Sequence, residues 1–392
     1  MPLKNAMRVK RNCRVWAAFA IFVCLLSARA ARLTDWRVAD SNFVFHLQCE
    51  SNLSYHIQRS GNLVNWETVA RSTSGGTERM FQFPAEYLLA SNVFFRALQT
   101  NEPLFSAAIA ARRGIDLSGH NLYVDSFDSS NPNYSTNGRF DWNKSRDRGV
   151  VASHEGITNA SNGTVTIRGH LFTGPGGAAP VGPQGVIGDA SWVANPANAG
   201  QIQPGHYHND MNVDFADAQL PSGSGGWVGL PSPSPTVIDG VAYQYVLNNG
   251  DYLISGIDTL SAKSIYIQGN VRIRVDTLIS MTGQDTIRLA TNATLKIYAN
   301  CTNAVIAGNG IVNSGLAVQF MYFGTPRNSF LAIGGNSDIV GSFHAPHADI
   351  QLNGSGGSEN DFSGSLVGNS VRFQAGFRIH FDESLVRLGP MQ

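Results

Sequence analysis

Short apolar bursts that alternate with polar residues, each closed by Gly or Asn, govern what this 392-residue chain can fold into. Ile115-Asp116-Leu117, Leu122-Tyr123-Val124, Val165-Thr166-Ile167, Ile265-Tyr266-Ile267, Leu295-Lys296-Ile297 and Ile350-Gln351-Leu352 all read this way, as does Val271-Arg272-Ile273-Arg274-Val275. Successive side chains of a strand leave on opposite faces, so each burst buries one face and wets the other. No long helical period interrupts them, which predicts an all-β chain. A weak repeat sharpens the expectation. Gly341-Ser342-Phe343 recurs 23 residues later as Gly364-Ser365-Leu366, and at the same offset Ala348-Asp349-Ile350-Gln351 recurs as Val371-Arg372-Phe373-Gln374. Gly-Asn pairs recur at Gly269-Asn270, Gly308-Asn309, Gly335-Asn336 and Gly368-Asn369. A period of roughly 20–25 residues with one burst per face is what a parallel β-helix needs. Gly and Asn turn its corners at the least conformational cost. Residues 113–388 are therefore expected to form a β-helix, with a Gly/Pro-rich insertion at about 174–235 packed on the coils as a side loop. A large β-sandwich or jelly roll is the alternative reading of the same pattern.

Residues 33–99 read as a separate small β-sandwich. Phe43-Val44-Phe45-His46-Leu47 and Tyr55-His56-Ile57-Gln58 alternate, and turn residues such as Ser60-Gly61-Asn62 and Ser74-Gly75-Gly76 separate the runs. Residues 100–112 are expected to be a linker, with a helical turn over Leu104 to Arg112. Ahead of both lies an export signature. Lys4, Arg8, Lys10, Arg11 and Arg14 precede an apolar run from Val15 to Leu26, and Ala28-Arg29-Ala30 follows. That order predicts a secretory signal peptide over residues 1–30, and the run is short for the roughly 20 residues of a spanning helix. No later segment is apolar and long enough to span a membrane, so no transmembrane segment is expected in the mature chain. Cys13 and Cys24 fall in the signal; the remaining Cys49 and Cys301 are expected as buried thiols, a bridge between the domains being the alternative.

Two resemblances add to this. The string Tyr55-His56-Ile57-Gln58-Arg59-Ser60, then Leu63-Val64-Asn65-Trp66 and Phe94-Phe95-Arg96-Ala97, resembles a small fibronectin-III-like module of secreted bacterial proteins. Trp66 is expected as the core tryptophan of that sandwich, a sugar-stacking platform being the alternative. At the other end, Phe343-His344-Ala345-Pro346-His347-Ala348, Leu352-Asn353-Gly354, Phe362 to Val367 and Ile379-His380-Phe381-Asp382-Glu383-Ser384-Leu385 resemble the tail of an uncharacterised bacterial domain. That domain occurs in exported proteins, some associated with pilus assembly or the cell surface. It often carries Asn where this chain has His347. The resemblance implies a right-handed β-helix and an exported location, and no reaction.

Composition removes one class of partner. With 28 basic and 28 acidic residues and only 14% charged residues, the chain has no electrostatic footprint for nucleic acid. The densest oxygen cluster, Asp125, Asp128 and Asn131, is a candidate calcium site, because calcium gathers carboxylate, amide and carbonyl oxygens. Phe127 stands where an EF-type loop needs a ligand, and Asx-turns explain the same residues. His206 and His208 point the same way on a strand and, with Asp210, are a candidate transition-metal set. His344 and His347 flank Ala345-Pro346 and are a weaker pair. No Gly-x-Ser-x-Gly elbow, P-loop or His-Glu-x-x-His is present. Asp349 and Asp361 are candidates for paired carboxylates, and Asp382-Glu383 is expected to cap the last coil.

These features favour an exported surface or extracellular structural protein that holds a glycan or a cell-surface protein. The alternative is a polysaccharide-active lyase or hydrolase working along the β-helix. An acidic cluster with a nearby Arg or Lys, aligned across successive coils beside an open groove, would favour the enzyme; a groove filled by residues 174–235 would favour the scaffold. A pilus-like component is the third reading, and the N-terminal segment lacks the Gly-x-x-x-x-Glu signature that it would carry.

Overall fold

The computed structural model describes residues 32–39, 42–48, 54–64, 66–73, 78–84, 93–100, 104–160, 164–211, 213–221, 226–254, 263–335, 338–354 and 360–388. The expected signal segment, Cys49, Asn336 and the Ser74–Gly76 turn lie outside these residues. Two compact units divide the described chain: one takes the residues before 103 together with 213–216, the other those of 103–211 and 217–388. Among the described residues no helix is long and apolar enough to cross a membrane.

The first unit is a two-sheet sandwich. One antiparallel sheet orders β1 (Arg32–Ala39), β2 (Asn42–Gln48) and β5 (Glu78–Pro84) as β1-β2-β5; the other orders β4 (Glu67–Thr73), β3 (Ser54–Ser60) and β6 (Phe94–Thr100) as β4-β3-β6. Alternation decides which side chains go inward: Phe43, Phe45 and Leu47 of β2 meet Phe81 and Phe83 of β5 and Tyr55, Ile57 and Phe95 of the facing sheet, all 4% exposed or less. Trp66 is not among them. It lies half-buried, its indole N–H donating to the Leu63 carbonyl at 3.1 Å and the Arg96 guanidinium 4.1 Å over its ring. The tryptophan that packs against the core is Trp36, edge-on to Phe43 at 5.8 Å. Val213–Asp214 adds a parallel strand beside Arg71 and Ser72. Part of the stretch expected as a β-helix side loop thus belongs to the sandwich.

The second unit is a parallel β-helix carried by a 20-stranded sheet and a four-stranded one. Ser264–Ile267, Asn270–Val275 and Ile279–Met281 form three faces of one coil. The next coil repeats them as Thr286–Leu289, Thr294–Ala299 and Asn303–Ile306. Between Ser264 and Ile333 coils return after 22 to 27 residues, Ser264 standing opposite Thr286 and Ala304 opposite Leu331. Inward residues stack as a ladder that runs Ile273, Ile297, Tyr322, Phe343, Leu366, Ile109, Val151 and Leu171, each no more than 1% exposed. Each such side chain contributes roughly 1.5–3 kcal/mol by leaving water.

That ladder is out of sequence order. Leu366 of the last full coil pairs with Ile109 near the start of the unit. The next coil is composite: Phe377–Asp382 supplies its first face, Ile109–Ala111 its second and Gly114–Asp116 its third. Leu122–Phe127 then stacks on Phe377–Asp382, and Gly149–Ser153 on Ile109–Ala111. Three expectations are corrected. Ile109–Ala111, expected as linker with a helical turn, is a fully buried strand. Within the 174–235 stretch, Val186–Gly188, Gln201–Ile202 and Tyr207–His208 are coil strands rather than side loop. The repeat also keeps one offset for only half its length. Gly341 pairs with Gly364 as expected, but Ile350 pairs with Val371, because the backbone shifts register between Ala345 and Asp349.

The glycines of the repeat have a steric reason. A Cβ on Gly364 would lie 1.8 Å from the Gly341 carbonyl oxygen, and φ there is 143°, a region that L side chains rarely adopt.

Candidate functional site

The composite coil brings together two buried ionisable side chains, Asp125 and His380, and two partly buried ones, Asp361 and Arg378. Its first-face strand alternates: Phe377, Ile379 and Phe381 point inward, so Arg378 and His380 point outward. On one neighbouring coil Asp361 stands opposite Arg378; on the other, Asp125 stands opposite His380. His380 Nδ1 is 2.7 Å from Asp125 Oδ1 and Nε2 is 3.2 Å from Asp361 Oδ1, so both ring nitrogens face carboxylates. A doubly protonated imidazolium satisfies both contacts. Arg378 grips Asp361 through two bonds, Nε to Oδ1 at 2.6 Å and Nη2 to Oδ2 at 2.8 Å. The Tyr123 hydroxyl reaches Asp125 Oδ2 at 3.4 Å.

The electrostatics follow from burial and pairing. Burial alone would pull the His380 pKa down, but the hydrogen bonds and charges of Asp125 and Asp361 outweigh it and hold the imidazole above its ordinary value. Burial pushes Asp361 up, and its contacts with His380 and Arg378 reverse this, leaving it below the usual carboxylate value. Asp125 is raised by its complete burial, against the opposing pull of His380 and of Arg168 one coil further on.

A loop closes the group off. Phe140 stacks on the His380 ring with centroids 3.5 Å apart and planes 15° apart, Trp142 meets it edge-on at 5.1 Å, and the Arg378 guanidinium lies 5.2 Å from the Trp142 ring. The chain end fastens the same loop. Glu383 accepts from Ser126 Oγ at 2.9 Å and pairs with Arg146 at 3.1 Å. Asp382 Oδ1 accepts from the Ser129 and Ser384 amides at 3.1 and 3.0 Å. Burial raises Glu383 despite these partners. The side chains of His380 and Asp125 are 1% and 0% exposed, so a substrate in solution has no path to the imidazole while the loop is seated.

A family profile described as a domain of unknown function (DUF7305) matches residues 234–388. No curated protein and no solved structure matches the chain. The DUF7305 match includes Asp361, His380, Asp382 and Glu383. It leaves out Asp125, Ser126, Phe140 and Arg146, which complete the cluster from the other end of the unit.

The residues singled out in the sequence are distributed as follows. The three calcium candidates all have protein partners. Asp125 faces His380; Asp128 accepts from the Ser130 amide and hydroxyl at 3.0 and 2.7 Å and from Arg387 at 2.7 Å; Asn131 accepts from the Asn133 amide at 3.0 Å. Asp128 and Asn131 thus form Asx-turns. His206, His208 and exposed Asp210 do not bring three donors within 4.8 Å of one another. Instead His206 stacks on His170 at 4.4 Å, with its Nδ1 2.7 Å from the Gly169 carbonyl, and His208 stacks on Phe172 at 4.8 Å. His170 lies below the ordinary histidine value, through burial first and then the charges of His206 and His208. His344 is buried edge-on to Phe105, whereas His347, in the register shift, contacts Asp217 at 2.6 Å. Asp349 accepts from Asn369 and Ser370 at 2.8 and 2.7 Å on a face apart from Asp361, so the two are not a carboxylate pair. Cys301 is a free buried thiol whose pKa burial raises.

Sequence reasoning passed over His380 as a site residue, although its place at an outward position between Ile379 and Phe381 was readable. Its partner Asp125 lies 255 residues away, and no local pattern announces that pairing.

Proposed function

We propose that the chain is an exported structural or binding protein in which the β-helix is a rigid scaffold and the sandwich a small accessory module. The observation that carries this reading is the burial of His380 and Asp125, while their partner Asp361 keeps 26% of its side chain exposed. Charged side chains do align across successive coils there, as an enzyme of this architecture would need. Yet Phe140 and Trp142 lie over them, and Asp382 and Glu383 fasten that cover. Side chains sealed in this way join the two ends of the unit. The export reading rests on the N-terminal sequence alone, and a fibronectin-III-like identity for the sandwich rests on its strand pattern. The tail resemblance and the DUF7305 match supply no reaction.

One experiment separates scaffold from enzyme. The purified chain is incubated with a panel of acidic and neutral polysaccharides, and retention and released sugar ends are both measured. The scaffold reading expects retention or no effect, with no product. Product release by the wild type that disappears in Asp125→Asn would overturn it.

A further inference from the structure

The outer face of the sandwich sheet β1-β2-β5 carries three ligand-type side chains brought together by a backbone irregularity. Phe45 and Leu47 point into the core, so His46 between them points outward. Glu78, opposite Gln48, shares that face, and its Oε1 lies 2.9 Å from His46 Nδ1. β1 is bulged: Thr34 pairs with His46, and pairing resumes only with Arg37 opposite Val44. In a regular strand Asp35 would follow Thr34 onto the core side. In the bulge Asp35 takes φ 52°, the left-handed region, and its carboxylate turns to the outer face. One ligand atom each from Asp35, His46 and Glu78 then lie within 4.8 Å of one another. Among the described residues this is the one group of three His, Cys, Asp or Glu side chains so placed. Thr34 Oγ1, on the same strand and opposite His46, is buried with no hydrogen-bond partner among the described residues.

We propose that Asp35, His46 and Glu78 form a binding site for a zinc-like divalent transition metal. The donor set decides the class. An imidazole with two carboxylates suits zinc and its neighbours, whereas calcium and magnesium take oxygen ligands alone. Ligand atoms around a tetrahedral zinc stand roughly 3.3–3.6 Å apart, from bond lengths of about 2.0–2.2 Å. The present spacing is no more than 4.8 Å, so binding would draw the three side chains together by rotation. Two carboxylates would balance the charge of the ion, and three protein ligands leave a fourth position for water or a donor from a partner.

The test uses the full chain, zinc chloride in a calorimetric titration, and the visible absorption of a cobalt(II) form as a second readout. The expected result is one equivalent bound with a four-coordinate cobalt spectrum. Asp35→Gly should weaken zinc by more than the roughly 10–100-fold that loss of an outer partner costs. Glycine suits the left-handed backbone, so an unchanged unfolding transition is expected and shows that the variant still folds. His46→Gln should behave likewise. Absence of stoichiometric binding by the wild type overturns the site. So does full affinity in either variant, and loss of binding in His206→Gln alone would move the metal to the histidine row of the β-helix.

Discussion

Between Ser264 and Gly334 the β-helix repeats face by face, each coil resting on the one before it in sequence. Between Asn360 and Thr173 the stack is assembled from both ends of the unit, and the composite coil belongs to neither alone. The regular stretch is held by its apolar ladder, with Ile297 and Leu295 at 0% exposure. The composite stretch has a comparable ladder and also carries the imidazole–carboxylate group and the Glu383–Arg146 pair on its outside. The difference teaches where specificity is needed. A coil that follows its neighbour along the chain finds it at once, whereas two segments 255 residues apart can mispair, and buried polar contacts penalise the wrong register.

The largest test of this comparison is a cut. A fragment of residues 234–388, the span of the DUF7305 match, keeps the regular stretch but loses every partner of Phe377–Asp382 except the preceding coil. Its last coil would present an unpaired, flat parallel edge. We expect it to aggregate or to unfold without a sharp transition, while residues 103–388 unfold cooperatively. A fragment 234–388 that melts cooperatively in calorimetry would show that the composite coil is dispensable.

Next in size is His380→Ala, which leaves Asp125 buried without its main counter-charge. A loss of about 3–5 kcal/mol is expected in denaturant unfolding. Ile297→Ala, in the regular stretch, should cost about 2–5 kcal/mol through its cavity alone. The two differ in their pH response. The folded-state pKa of His380 lies above 6.5, so its contribution is fully present below that pH and is lost as pH rises through the folded value. Asp361 is held below 3.8, so its contribution is lost as pH falls through its folded value. The wild type should therefore lose stability on both sides of a plateau. His380→Asn should flatten the alkaline side, and Ile297→Ala should keep it. An unchanged alkaline limb in His380→Asn would remove the imidazole from the account.

The contrast also explains what was legible in the sequence. Alternation in Val271-Arg272-Ile273 and Leu295-Lys296-Ile297 exposes strand, face and period together, because each strand's neighbour lies one coil away. The repeat at Gly341 and Gly364 was readable for the same reason. The composite coil was not, because nothing local in Ile109-Ala110-Ala111 says that its neighbours are Leu366-Val367-Gly368 on one side and Val151-Ala152-Ser153 on the other. Three apolar residues after an irregular stretch read as a linker. Asp125 drew attention as an oxygen-rich turn, and only its pairing with His380 gives it another role. Trp66 differs for another reason: it lies just before β4 rather than within it, and the buried side chains of β3 and β4 are Tyr55, Ile57, Val69 and Ala70.

The smallest expected effect lies at the rim of the composite stretch. Arg387 bonds Asp128 Oδ1 at 2.7 Å while its own side chain is 57% exposed. Asp128 is itself 10% exposed but keeps its Ser130 bonds, and the guanidinium stands largely in water, where salt screens it, so the pair is expected to contribute about 1 kcal/mol. Arg387→Ala should thus shift the unfolding midpoint little, and less still at high salt. The Asp128 turn keeps its bonds from Ser130 in that variant, so Trp142 fluorescence, which reports the seating of the 128–148 loop on His380, should stay at the wild-type value. A loss as large as that of His380→Ala would mean that the chain end, rather than the imidazole, holds the loop down. The comparison would then turn on the rim of the stack instead of its buried row.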